Sequence, residues 1–164
     1  MSTNIVLPNL TNWTEQHLTS IFNATNQTNF TSAVNAFLSD KVAITVNGVS
    51  VSRADFVNNI SAEKFDEQSA TVTFSGAVEV PADSNNPITA GSVGVFYKAS
   101  IVEGIRVLGA PVIRQVTASL NVVIAQDPDV PQPKPSPIHG FFDGRRVMSL
   151  NQVSIDGPAP IQNA

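Results

Sequence analysis

The sequence predicts one α+β domain in which a strongly curved antiparallel sheet wraps around N-terminal helices. Three observations lead there. Apolar residues recur at helical spacing early in the chain, at Leu18, Ile21 and Phe22 and again at Phe30, Ala33, Val34, Phe37 and Leu38. From residue 69 to residue 155 the segments alternate with period two, as strands do. Helices that each carry one apolar stripe need a concave apolar surface to bury it, and long alternating strands supply one.

Residues 1–9 read as an extension, residues 10–156 as the domain and residues 157–164 as a tail. Thr11 or Asn12 is a candidate cap for the first helix, with Glu15 in its acidic first turn. Trp13 and His17 lie one helical turn apart beside the apolar stripe of that helix. Residues 26–29 form a polar break before the second helix. Residues 42–46 then alternate, and Asn47-Gly48 supplies the positive φ angles of a tight hairpin before residues 49–51 return. Ser52, followed three residues later by Asp55, resembles a capping box, and Phe56, Val57 and Ile60 give the third helix its buried face.

Residues 63–68 are a polar connection. Residues 69–80 alternate, with Val72, Phe74, Val78 and Val80 on one face and Thr71, Thr73, Ser75 and Glu79 on a wetter one. Residues 93–102 are apolar on both faces: Val93, Val95, Tyr97, Ala99 and Ile101 oppose Phe96 and Val102, as in a central strand or one whose outer face meets a partner. Residues 115–126 form another long strand, and residues 145–155 close the sheet. Five prolines in residues 127–137 make that segment extended and unpaired, a loop between two strands.

Composition excludes several function classes. A chain of 164 residues, 42% apolar, is long enough to bury a core without staples. Net charge is −4 and only 13% of residues are charged, which argues against a phosphate-backbone partner. Arg145-Arg146 is the one basic doublet and reads as a solvated pair at a strand start. The absence of cysteine removes disulfides, thiol nucleophiles and thiolate metal sites together. Two distant histidines, His17 and His139, do not make a metal site, so neither metal nor cofactor is expected. Gly91-Ser-Val-Gly94 lacks the Gly-Lys and following helix of a phosphate loop, and no Gly-x-Ser-x-Gly elbow occurs.

No apolar run approaches the ~20 residues of a membrane span, so no membrane partner is expected. Residues 1–8 show neither a basic n-region nor an apolar h-region, which predicts a soluble, cytoplasmic protein. Six Asn-x-Ser/Thr sequons, beginning at Asn9, Asn12, Asn23, Asn26, Asn29 and Asn59, leave secretion open.

The element order resembles the nuclear-transport-factor-2-like superfamily, also called SnoaL-like. The likeness is carried by the helix at residues 30–38, by Val42-Ala-Ile-Thr-Val-Asn-Gly48 and by Ser52-Arg-Ala-Asp-Phe56. It extends through Gly94-Val-Phe-Tyr97, Ser119-Leu-Asn-Val-Val-Ile124 and Phe141-Phe-Asp-Gly-Arg-Arg-Val-Met-Ser-Leu150, and it is similar to uncharacterised fungal members. The resemblance implies a cone-shaped sheet around a helix-lidded pocket. It does not imply one chemistry, since the superfamily houses isomerases, polyketide cyclases, dehydratases and non-catalytic binding proteins. Its enzymes tend to use a carboxylate or His as proton shuttle with Tyr or Asp donors. Tyr97 is the single tyrosine here, so the paired tyrosines of fungal scytalone dehydratases are not reproduced. Asp143, before Gly144, reads as a turn residue, and no functional residue transfers.

The expected function is therefore a small-molecule binding domain with an apolar pocket. Tyr97 is its first polar contact, Phe74, Val95 and Leu120 line it, and His17 and Trp13 shape its entrance. Alternatives are a cofactor-independent lyase or isomerase on a cyclic or polyketide-like compound, and an interaction module acting through the sheet face. Phe96, Val102 and Val123 fall out of phase with their core-facing neighbours. With the resemblance, they predict a homodimer through the outer face of the sheet.

Overall fold

A computed structural model describes residues 7–65, 67–132 and 142–159. Its order is α1 (Leu10–Asn23), α2 (Gln27–Phe37), β1 (Leu38–Val46), β2 (Val49–Val51), α3 (Arg53–Phe65), β3 (Glu67–Pro81), β4 (Gly91–Val107), β5 (Ala110–Gln126) and β6 (Arg145–Pro158). The strands form one curved six-stranded sheet in the order β2-β1-β6-β5-β4-β3, with the helices on its concave side. The sheet is mixed, not purely antiparallel as expected, because β1 pairs with β6 in parallel. Parallel neighbours need a long crossover, and here it is most of the chain, so no local pattern announces the pairing.

The first two helices start earlier than their sequence signals suggest, and the third starts where expected. Asn9, not Thr11 or Asn12, caps α1: its Oδ1 accepts from the Asn12 N–H at 2.8 Å. No acidic residue lies in the first turn of α1, and Glu79 of β3 supplies the negative charge instead, its Oε2 accepting from the Thr11 N–H at 2.7 Å. Asn26 caps α2 in the same way as Asn9 caps α1. Ser52 caps α3: its Oγ accepts from the Asp55 N–H at 3.1 Å and donates to the Asp55 carboxylate at 2.6 Å. Asn47 (φ 50°) and Gly48 (φ 82°) make the expected hairpin turn. A second one, at Leu108 (φ 51°) and Gly109 (φ 84°), joins β4 to β5 where the sequence shows no Asn-Gly signal.

Two bulges decide which residues face the helices. In the β3–β4 ladder Phe74 pairs with Tyr97 and Gly76 with Phe96, so Ser75 is an extra residue and the alternation flips beyond it. Val78 and Val80, expected on the same face as Phe74, are therefore 65% and 62% exposed on the convex side, and Glu79 turns inward to α1. In the β5–β6 ladder Val123 pairs with Ser149 and Ile124 with Val147, which leaves Met148 unpaired. Arg145 and Val147 face inward before that bulge; Leu150, Gln152, Ser154 and Asp156 do so after it.

The core lies between sheet and helices. Leu10, Leu18, Ile21, Phe30, Val34 and Phe37 pack on Val93, Val95, Tyr97 and Ala99 of β4, with Leu120 and Ile124 of β5 beside them. Gly91 fits where α1 meets the β3–β4 turn because a Cβ there would stand 2.4 Å from the Val80 carbonyl oxygen.

Candidate functional site

The concave side is not fully filled. A partly enclosed, mostly apolar cavity of about 60 Å³ lies among Leu18, Phe22 and Phe37 from the first two helices, Phe56 and Ile60 of α3, and Tyr97, Leu120 and Gln152 of the sheet. It adjoins a wider mouth of about 270 Å³ lined by Val46, Val51, Asn59, Ser154 and Asp156. Phe56, Ile60, Val116 and Gln152 line both spaces and so form the neck between them.

Tyr97 is 3% exposed, between the rings of Phe22 (5.9 Å) and Phe74 (6.3 Å). Its hydroxyl donates to Gln152 Oε1 at 3.5 Å, and Gln152 Nε2 donates to Ser154 Oγ at 3.1 Å. A polar chain thus runs from the buried phenol to the mouth. The turn residue Asn47 holds the backbone of that stretch: its N–H donates to the Gln152 carbonyl at 2.8 Å, its Oδ1 accepts from the Ser154 N–H at 2.8 Å, and its Nδ2 donates to the Ser154 carbonyl at 3.1 Å. Asp156 at the mouth is paired with Arg114 at 2.9 Å, and Glu103 stands 3.9 Å from the same guanidinium. Tyr97 is the one titratable residue that lines the enclosed cavity. The lining is mostly apolar and carries no Asp, Glu, Lys, Arg or His.

The six residues expected at a site divide. Tyr97 and Leu120 line the cavity. Phe74 packs behind the Tyr97 ring, and Val95 is buried in the core beside it without reaching the space. Trp13 and His17 are not at the entrance. Their rings lie 4.3 Å apart, and Phe37, which lines the cavity, packs against both at 5.6 and 5.8 Å. His139 lies outside the described residues, as does residue 141.

Behind Trp13 is a polar cluster that the sequence reading missed. Arg145 is fully buried, not solvated. Its Nε and Nη2 donate to the two Asp143 oxygens at 2.9 and 2.8 Å. Its Nη1 donates to the carbonyls of Pro8 (3.0 Å) and Ile88 (2.7 Å), and the guanidinium lies 5.4 Å from the Trp13 ring centroid. The Trp13 indole N–H donates to Asp143 at 2.9 Å. Asp143, itself part-buried, is thus the acceptor for a buried arginine and not merely a turn residue. Burial alone would raise its pKa, but the hydrogen bonds and charge of Arg145, with the indole, hold it below the usual carboxylate range. His17 is pushed down to about 4, chiefly by burial; Asp143 opposes that shift, and Arg146 and Arg145 add to it. One signal for this cluster was present: Arg145 and Val147 share a strand face, and Val147 is plainly a core residue.

Among the described residues no group of three or more His, Cys, Asp or Glu converges as metal ligands, and no helix is long and apolar enough to cross a membrane.

No protein-family model matches the chain, and no curated protein matches it. Solved structures do. Kfla4162 from Kribbella flavida is 14% identical, over 87% of each chain, with a TM-score of 0.59. IdmH from Streptomyces antibioticus, a candidate polyketide cyclase, is 13% identical over 87% of this chain and 90% of its own, at 0.55. A candidate aromatic ring hydroxylase from Novosphingobium aromaticivorans is 6% identical over 89% and 90%, at 0.57. Likeness at these identities shows a shared fold alone: a curved sheet closing around N-terminal helices. Nothing in it supports the narrower similarity to fungal members.

Proposed function

We propose that this chain binds one small, largely apolar molecule in its cone, with the phenol of Tyr97 as a polar contact. The observation that supports the reading most is the uncharged cavity opening through a neck into a wider mouth. Apolar area buried there contributes ~25 cal/mol per Å². The enclosed part is smaller than the ~150 Å³ cavity that holds benzene, so a ring-sized ligand extends through the neck into the mouth. Fluorescence titration of a neutral aromatic probe tests this: Leu120→Trp, which fills the cavity, should abolish saturable binding, and unchanged binding would count against the site.

An enzymatic reading rests on the fold likeness to IdmH, a candidate polyketide cyclase. In that reading Asp156, paired with Arg114, is the carboxylate at the mouth, and Tyr97 the donor inside. Conversion of a polyketide-like compound, followed by mass spectrometry and lost in Asp156→Asn, would favour it over simple binding.

The partner proposed for the convex face is a second copy of this chain. Phe96 (43% exposed) and Val123 (46%) lie there, with Val78, Val80, Val153 and Ile155, while Val102 is half-buried. Register places Ser92, Gly94, Ser119 and Asn121 between them, and Lys98 is the one charge within this patch. Two such faces meet without opposing like charges over most of their area, which suits a net-acidic chain.

A further inference from the structure

We propose that Gln152 is the specificity-determining residue of the cone: its amide selects an uncharged ligand with an apolar ring and a single hydroxyl or carbonyl oxygen. The inference rests on the reading that the cavity binds a small molecule.

Gln152 is the one polar residue among the four at the neck; Phe56, Ile60 and Val116 complete it. A ring that enters the enclosed space cannot be contained there, so its substituent stops at the neck beside the amide. That amide offers an acceptor oxygen and two N–H donors, of which Ser154 accepts one. Its contact with the Tyr97 hydroxyl, at 3.5 Å, is longer than a good O–H···O bond, and a ligand oxygen beside the two can form a shorter hydrogen bond to each. The backbone of Gln152 and Ser154 is already held by Asn47, so the amide is presented from a fixed frame.

The same geometry rejects charge. A ligand carboxylate at the neck would be stripped of water in a cavity that holds no cation. The acidic side chain lining the mouth is Asp156, already engaged by Arg114. A ring without any oxygen fits the apolar wall but leaves the amide unpaired once water is displaced.

The test uses 2-naphthol, 2-naphthoate and naphthalene as probes, titrated by fluorescence against the wild type and Gln152→Met, a substitution of similar volume. Wild type should bind 2-naphthol about tenfold more tightly than either other probe. Gln152→Met should lose about that factor for 2-naphthol and bind naphthalene as well as before or better. Equal affinity for the naphthol and the naphthoate in wild type overturns the inference, whether or not the variant folds. So does a folded variant, checked by thermal melting, that keeps the naphthol preference. If naphthalene binds in the cavity while these preferences are missing, only the role of Gln152 fails. If none of the three binds, the binding reading itself fails and this inference with it.

Discussion

Tyr97 of β4 reaches Gln152 of β6 across the intervening strand, hydroxyl to amide oxygen at 3.5 Å, and the unpaired Met148 is what turns that amide inward. Without the extra residue, Val153 and Ile155 would face the helices and Gln152 would face solvent. Tyr97→Phe removes only the hydroxyl. It should leave stability within about 1 kcal/mol of wild type while weakening an oxygenated aromatic probe about threefold to tenfold. Parallel chemical denaturation and probe titration measure both; a large loss of stability would make the hydroxyl structural instead.

Arg145 is the most demanding residue in the fold. It is fully buried and ties the segment before α1, the β3–β4 turn and the approach to β6 into one cluster through Pro8, Ile88 and Asp143. Removing one partner of a buried pair strands the other and costs about 3–5 kcal/mol. Arg145→Leu should therefore lower the unfolding free energy by about that much in urea titration, near the lower end because Asp143 keeps some solvent contact. A change under about 1 kcal/mol would show the cluster to be incidental.

His17 makes the protein acid-sensitive at its helix–sheet seam. Asp143, Arg145 and Arg146 are the charged groups that act on it, and burial against Trp13 and Phe37 outweighs the carboxylate. Because its pKa falls from 6.5 to about 4 on folding, protons bind the unfolded chain first. The neutral ring costs nothing above pH 6.5; stability then falls as pH drops through the window down to about 4, by about 3 kcal/mol in all. Asp143, whose pKa is lowered on folding, loses its contribution only at still lower pH. His17→Leu should flatten the wild-type slope in that window when unfolding is measured at successive pH values. Parallel curves for the two proteins would contradict the assignment.

The convex face gives a separate prediction. If the proposed dimer forms, wild type should sediment as a dimer at micromolar concentration and Phe96→Glu as a monomer in sedimentation velocity. A monomeric wild type would refute the dimer directly.

Local signals in the sequence were sufficient for much of this architecture. The helical stripes, the Asn47-Gly48 turn, the Ser52 cap and the two-faced apolar pattern of β4 all depend on residues a few positions apart. What could not be read depends on counting across partners. The Ser75 bulge moved Val78 and Val80 to the convex face, the Met148 bulge brought Gln152, Ser154 and Asp156 inward, and the β1–β6 pairing joins the two ends of the chain. Of the candidate site, Tyr97 and Leu120 were legible because β4 and β5 keep their phase where those two residues lie. Gln152 was not legible, since a glutamine looks like a surface residue until its strand's register is known. Trp13 and His17 stand outside the lining of either space, and this was not legible because Asp143, which holds the Trp13 indole, is distant in sequence.

The most direct measurement is amide chemical-shift mapping of the 15N-labelled protein during titration with 2-naphthol. Binding in the cone predicts saturable shifts at Val57, Tyr97, Leu120 and Gln152, with Phe96 and Val123 on the opposite face of the sheet changing much less. Shifts confined to the convex face, or none at any of these residues, would contradict a ligand site inside the cone.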